Sequence, residues 1–110
     1  MSKIRVAING YGVIGKRVAL AVGTQDDMEV AGVCDVTTDW RLRPWLSTGG
    51  KLFAADEAHA TDMAKAGLKL DGTLRELLGQ CDIIVDCTPK RVAASNVTLY
   101  REQGKKFIVQ

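Results

Sequence analysis

Histidine occurs once in this sequence, at position 59, and cysteine three times, at positions 34, 81 and 87. None of them stands at a metal-type spacing, so no metal site is expected and His59 reads as a surface residue. An odd number of cysteines argues for reduced thiols rather than a disulfide framework, and so for a cytoplasmic protein. No apolar run approaches the length of a membrane span. The charged start, Met1-Ser2-Lys3-Ile4-Arg5, leads into an apolar run too short for a secretory signal, so no membrane partner is expected. Charge of one sign is scarce as well. The net charge is only +2, and the basic pairs Lys16-Arg17, Lys90-Arg91 and Lys105-Lys106 are far apart, which gives no ground for a nucleic-acid partner. The pairs at 16–17 and 105–106 read as solvated helix ends. Repeats, low-complexity tracts and linkers are absent. What remains is a chain of 110 residues, 46% hydrophobic and 25% charged, which is enough for one domain, 1–110, with a core of its own.

The most informative stretch is Asn9-Gly10-Tyr11-Gly12-Val13-Ile14-Gly15. It follows an apolar run (Ile4, Val6, Ala7, Ile8) and precedes an amphipathic pattern. A Gly-x-Gly-x-x-Gly between a strand and a helix is the phosphate-binding turn of a dinucleotide domain. Gly10 permits the tight turn, Gly12 lets a pyrophosphate approach the backbone, and Gly15 lets the helix pack closely. The unpaired N–H groups at the helix start, with the positive end of its dipole, make an anion site.

Residues 3–9 read as a first strand and residues 13–22 as a first helix with Ile14, Val18, Ala21 and Val22 on its apolar face and Gly23 as its stop. Residues 28–35 read as a second strand ending in Asp35, twenty positions after Gly15, where the fingerprint places an acid for the adenosine ribose hydroxyls. The alternative for Asp35 is a solvated strand end or a helix cap. Residues 36–50 are irregular: Asp39 is a candidate cap for a short helix with Trp40 and Leu42, which Pro44 breaks or restarts. Trp40 and Trp45 suit either an adenine or, as the preferred reading, the core or a subunit interface. A third strand over 51–54, a helix over 56–66 stopped by Gly67 and a brief extended piece at 68–70 come next. They precede a short helix capped by Thr73 with Glu76, with Leu74, Leu77 and Leu78 inward. Ile83-Ile84-Val85 has the continuous apolarity of a strand buried on both faces. Residues 86–91 should then lie across the cofactor from the glycine turn. A helix from about Arg91, with Ala93, Val97 and Tyr100 on one face and Gly104 as its stop, and a fifth strand over 106–109 complete the chain. This alternation predicts an α/β, doubly wound parallel sheet of Rossmann type, strand order 3-2-1-4-5, in a single domain.

These residues also resemble a known family. The run from Val6 to Val18, and Asp82-Ile83-Ile84-Val85-Asp86-Cys87-Thr88-Pro89, resemble the N-terminal cofactor-binding domain of the archaeal (type II) glyceraldehyde-3-phosphate dehydrogenases. Asp35-Val36-Thr37-Thr38-Asp39-Trp40 looks like a variant seen in some archaeal members, and Phe107-Ile108-Val109-Gln110 matches the strand leading into the family's Gln-Gly-Gly stretch. The resemblance implies NAD(P)-dependent oxidative phosphorylation of glyceraldehyde 3-phosphate, in glycolysis, usually by homotetramers. The family's nucleophile lies in a Ser-Cys-Asn-Thr-Thr motif that this sequence does not contain. Where the family often has Asn-Gly, this chain has Lys90-Arg91, which either meet a phosphate or only begin the helix.

The expected site is therefore cofactor-binding only: Asn9, Gly10, Tyr11, Gly12, Val13, Ile14, Gly15, Asp35, Thr37, Thr88 and Pro89, with no catalytic residue. The cofactor expected is NAD, because Asp35 repels a 2′-phosphate. NADP stays open, because Thr37, Thr38 and Arg41 follow at once and suit a phosphate. Cys87 is the one thiol near the expected nicotinamide, but it has no histidine nearby in sequence and reads as structural, as do Cys34 and Cys81. Binding without catalysis is the expectation for this chain, with self-association through apolar surface that a catalytic domain would cover. A stand-alone nucleotide-sensing module is the alternative. A dihydrodipicolinate-reductase-like enzyme is a third reading, with a weaker resemblance in the first turn.

Overall fold

The computed structural model describes residues 3–38 and 40–110. Six parallel strands form one sheet: β1 (Ile4–Asn9), β2 (Met28–Asp35), β3 (Leu52–Ala54), β4 (Gly72–Thr73), β5 (Ile83–Asp86) and β6 (Lys106–Val109), in the order β4-β3-β2-β1-β5-β6. The helices between them are α1 (Val13–Gly23), α2 (Arg43–Ser47), α3 (Glu57–Lys65), α4 (Leu74–Leu78) and α5 (Lys90–Glu102), and a 3-10 turn over Trp40–Leu42 leads into α2.

Neighbouring strand residues point to opposite faces, so β1, β2 and β3 each feed two cores. Ala7, Cys34, Phe53 and Ile84 face α4 and α5 and pack with Leu74, Leu77, Leu78 and Tyr100. Ile8, Val33, Leu52 and Ala54 face the other way and pack with Ala19 of α1, Leu42 and Met63 of α3. The expectation that β5 is buried on both faces holds for one face: Ile84 and Asp86 are buried, whereas Ile83 and Val85 on the other face are half-buried. The β1–β2 ladder slips by one residue, from Val6 opposite Val30 to Ala7 opposite Gly32, so Ala31 bulges out.

Three expectations are corrected. The strand order 3-2-1-4-5 omits one edge strand: Gly72 and Thr73 pair with Phe53 and Ala54, whereas residues 68–70 form no strand. Two residues carry too little pattern to announce a strand. On α1, the inward residues are Gly15, Ala19 and Val22, with Val18 half-buried, whereas Ile14 and Ala21 are exposed. A Cβ at Gly15 would lie 1.9 Å from the Gly10 carbonyl oxygen. The helix is thus rotated to put Gly15 against the turn, which fixes a face that hydrophobicity alone assigns differently. α5 begins at Lys90, one residue earlier than expected. The expected cap at Asp39 lies outside the described residues.

Candidate functional site

Strand β1 delivers the glycine turn to the carboxyl end of the sheet. Gly10 has φ +96°, the left-handed region that side chains rarely adopt, and a Cβ there would lie 3.0 Å from the Cys87 carbonyl carbon. Gly10 therefore serves two ends at once, turning the chain and letting the 86–89 loop come close. Gly12 differs: a Cβ on it would meet nothing within 4 Å. The turn is packed at Gly10 and Gly15 and open at Gly12. Gly12 is also the N-cap of α1, so no side chain caps that helix, and its first turn holds no acid. No acid in that turn offsets the positive end of the helix dipole.

Asp35, at the end of β2, braces this turn. Its Oδ2 accepts from the Tyr11 amide at 2.9 Å, and its Oδ1 accepts from the Val36 and Thr37 amides at 2.6 and 3.2 Å. Three of roughly four acceptor directions on the carboxylate are filled by backbone, leaving about one on Oδ2.

The facing wall is the loop after β5. Asp86 is wholly buried, and four donors converge on its carboxylate. Oδ1 takes the Thr88 amide at 2.9 Å and the Thr88 hydroxyl, and Oδ2 takes Asn96 Nδ2 at 3.0 Å and the Tyr100 hydroxyl at 2.6 Å. Tyr100 in turn accepts from Asn9 Nδ2 at 2.8 Å. No acceptor direction on Asp86 is left for a ligand. Its work is to hold Thr88, and through Tyr100 to join the facing walls at their base. Burial, then the Asp86 hydrogen bond, pushes the Tyr100 hydroxyl far above its usual range, so it stays a donor.

Between the walls is a cavity of about 870 Å³. Of the expected site residues, it brings together Asn9, Gly10, Tyr11, Gly12, Asp35, Thr88 and Pro89. Val13 lines a smaller adjoining hollow, whereas Ile14, Gly15 and Thr37 line neither. Gly15 is buried under the turn, and Thr37 is engaged with Asp35. The side chain of Asn9 is buried behind the cavity in the Tyr100 hydrogen bond. Sequence reasoning placed Cys87, Lys90 and Arg41 nearby, and all three line the cavity. It missed Asn96, Gln110 and the Asp56–His59 pair. Asp56 caps α3 through the His59 amide and also meets His59 Nδ1, each at 2.8 Å. The acidic start of α3 was the only signal for that pair, and nothing local marks Asn96.

Helix α5 repeats the electrostatics of α1. Pro89 is its N-cap, no side chain caps it, and its first turn holds no acid. The Cys87 thiol is pushed up by burial and then by Asp86, which disfavours the thiolate a nucleophile needs. Cys34 and Cys81 are buried and shifted the same way, chiefly by burial. Among the described residues, no group of three or more His, Cys, Asp or Glu could hold a metal ion, and no helix is long and apolar enough to cross a membrane.

Residues 4–110 match the family model described as "Dihydrodipicolinate reductase, N-terminus". The sequence is 44% identical over 105 residues to glyceraldehyde-3-phosphate dehydrogenase of Methanothermus fervidus, covering 96% of this chain and 31% of that one. It is 46% identical over 108 residues to the enzyme of that name from Pyrococcus furiosus, covering 98% of this chain and 32% of that one. The chain thus spans about a third of the length of these curated relatives. Among solved structures, it resembles the WlbA dehydrogenase of Bordetella pertussis in complex with NADH and UDP-GlcNAcA. The TM-score there is 0.71 at 20% identity, over 98% of this chain and 27% of that one, a likeness of fold. These likenesses lend no support to a stand-alone sensing module.

Proposed function

We infer the function from one premise: the chain belongs to the family of dihydrodipicolinate reductase N-termini, with a sequence that resembles the N-terminal third of archaeal glyceraldehyde-3-phosphate dehydrogenases. It is a dinucleotide-binding domain, 1–110, of a phosphorylating aldehyde dehydrogenase. The observation that carries this reading is the contrast within the glycine turn, packed at Gly10 and Gly15 and open at Gly12, over a helix start with no cap. A pyrophosphate fits that space, held by the first amides of α1. The ribose of the adenosine lies against Asp35, and the 88–89 loop flanks the nicotinamide, with the Thr88 hydroxyl and amide fixed by Asp86.

The cofactor preferred is NAD. Asp35 has an acceptor direction for a ribose hydroxyl, and its charge opposes a 2′-phosphate. Titration calorimetry with both cofactors checks this: NAD binds more tightly, and Asp35→Ala narrows or inverts the difference. Tighter binding of NADP by the unaltered chain overturns it.

When bound, the nicotinamide supplies hydride acceptance. The residues of this chain bind and orient it, and none supplies a nucleophile. The Ser-Cys-Asn-Thr-Thr motif is absent from the sequence, and burial, then Asp86, pushes the Cys87 thiol up, against the thiolate. Purified chain should produce no NADH from glyceraldehyde 3-phosphate and phosphate, and turnover in that assay refutes the reading. Self-association belongs to the same proposal, supported by Ile108 and Val109, which are exposed on the edge strand β6. Sedimentation at several concentrations tests it, and a monomer throughout counts against it. The three free thiols support a cytoplasmic location.

A further inference from the structure

The two tryptophans have different fates. Trp45 donates its Nε1–H to the Lys51 carbonyl at 2.9 Å, lies against Gly50, and stands 6.0 Å from the Tyr11 ring. It is part of the fold. Trp40 is 75% exposed. It starts the 3-10 turn that Leu42, fully buried, pins to the core, so the indole two residues earlier is left on the outside. There it forms one wall of a hollow of about 290 Å³ that is also lined by Gly12, Val13, Pro44, Lys16 and Arg41. Tyr11, Gly12 and Arg41 line both this hollow and the large cavity, so the two adjoin.

We propose that Trp40 is the platform on which the adenine ring of the cofactor stacks. The inference rests on the dinucleotide reading above. If the pyrophosphate lies over Gly12 and the ribose against Asp35, the base must lie within one ribose of both. The hollow at Trp40 meets that condition, since it begins at Gly12 itself. Its chemistry suits a nucleobase that carries phosphates. An aromatic face and the apolar Val13 and Pro44 present surface to a ring, and the two cations among the lining residues attract the adjoining anion. The hollow is near the lower end of ligand-pocket volumes, about 300 Å³, which suits one ring system rather than a whole cofactor. Exposure of so large an indole is costly to solvation and is relieved by stacking.

The experiment compares the unaltered chain with Trp40→Ala and Trp40→Phe, using titration calorimetry with NAD, ADP-ribose and nicotinamide mononucleotide. Trp40→Ala weakens NAD and ADP-ribose about tenfold, the scale of base–aromatic stacking, and leaves the mononucleotide unchanged. Trp40→Phe keeps most of the affinity. AMP quenches tryptophan emission in the unaltered chain and not in Trp40→Phe, where only Trp45 remains. Equal ADP-ribose affinity in the unaltered chain and Trp40→Ala overturns the proposal while leaving the dinucleotide reading in place. So does a Trp40→Ala chain that changes oligomer size in sedimentation at constant ADP-ribose affinity, since that assigns the indole to a contact between copies. Failure of the unaltered chain to bind NAD overturns the dinucleotide reading, and this proposal with it.

Discussion

Helices α1 and α5 begin at the cavity with no side-chain cap, Gly12 and Pro89 occupying the cap positions. Helices α3 and α4 begin with full ones, Asp56 on the His59 amide and a capping box between Thr73 and Glu76. (α2 continues from a 3-10 turn and has no separate start.) A cap contributes about 1 kcal/mol, so leaving two helices bare forgoes stability that the same sequence secures elsewhere. Both bare ends lie at the cavity, where Gly12, Pro89 and Lys90 line it, and a helix start without a cap suits an anionic ligand. Asp56 reaches the cavity wall too, but its Oδ1 is already engaged by His59. Among α1, α3, α4 and α5, the two helices left without a cap both start at the cavity, in keeping with the proposed dinucleotide site.

Four measurements bear on that contrast. The largest effect is expected from Gly15→Ala, whose Cβ would collide with the Gly10 carbonyl at 1.9 Å. It should lower stability in urea unfolding by about 3 kcal/mol, at the upper end for overpacking, and abolish NAD binding with the turn. Gly12→Asp is the sharper test, because it installs at α1 the cap that α3 already has, at a backbone position in the extended region that suits one. Stability should hold or rise by a few tenths of a kcal/mol, whereas NAD affinity should fall about a hundredfold through like charge. If Gly12→Asp binds NAD as the unaltered chain does, the comparison breaks. Thr73→Ala removes a cap away from the site and should cost about 1 kcal/mol in unfolding with NAD affinity unchanged.

The smallest effect is a pH dependence. The His59 amide, donating to Asp56, holds that carboxyl below its usual range. Because the folded value is the lower one, the stabilisation is present above the unfolded pKa of about 3.9 and is lost as the pH falls through the folded value. Thermal melts should show this loss below about pH 4, and Asp56→Asn, which still caps but does not titrate there, should reduce it.

Much of the fold was legible because it depends on local pattern. Gly10 and Gly12 announced the turn, Ile83-Ile84-Val85 announced a strand, and Thr73 with Glu76 announced a capping box that the structure contains. The fit of Gly15 against Gly10 was less legible, since hydrophobicity alone put Ile14 and Ala21 inward. The Asp86 carboxylate illustrates the same limit. Sequence placed it at a strand end, and only its partners Thr88, Asn96 and Tyr100, with Tyr100 in turn accepting from Asn9 at the far end of the chain, show that it is fully hydrogen-bonded.

The sequence by itself determined the alternation of strands and helices, the glycine turn and the residues available at strand ends, because periodicity, turn chemistry and caps act over a few residues. Tertiary structure decided which face of α1 is buried, which tryptophan is core and which is exposed, and which helix starts stay bare. Those outcomes depend on close approaches between segments distant in chain, such as the Gly10 backbone against Cys87. No local pattern encodes the space that two such segments leave between them.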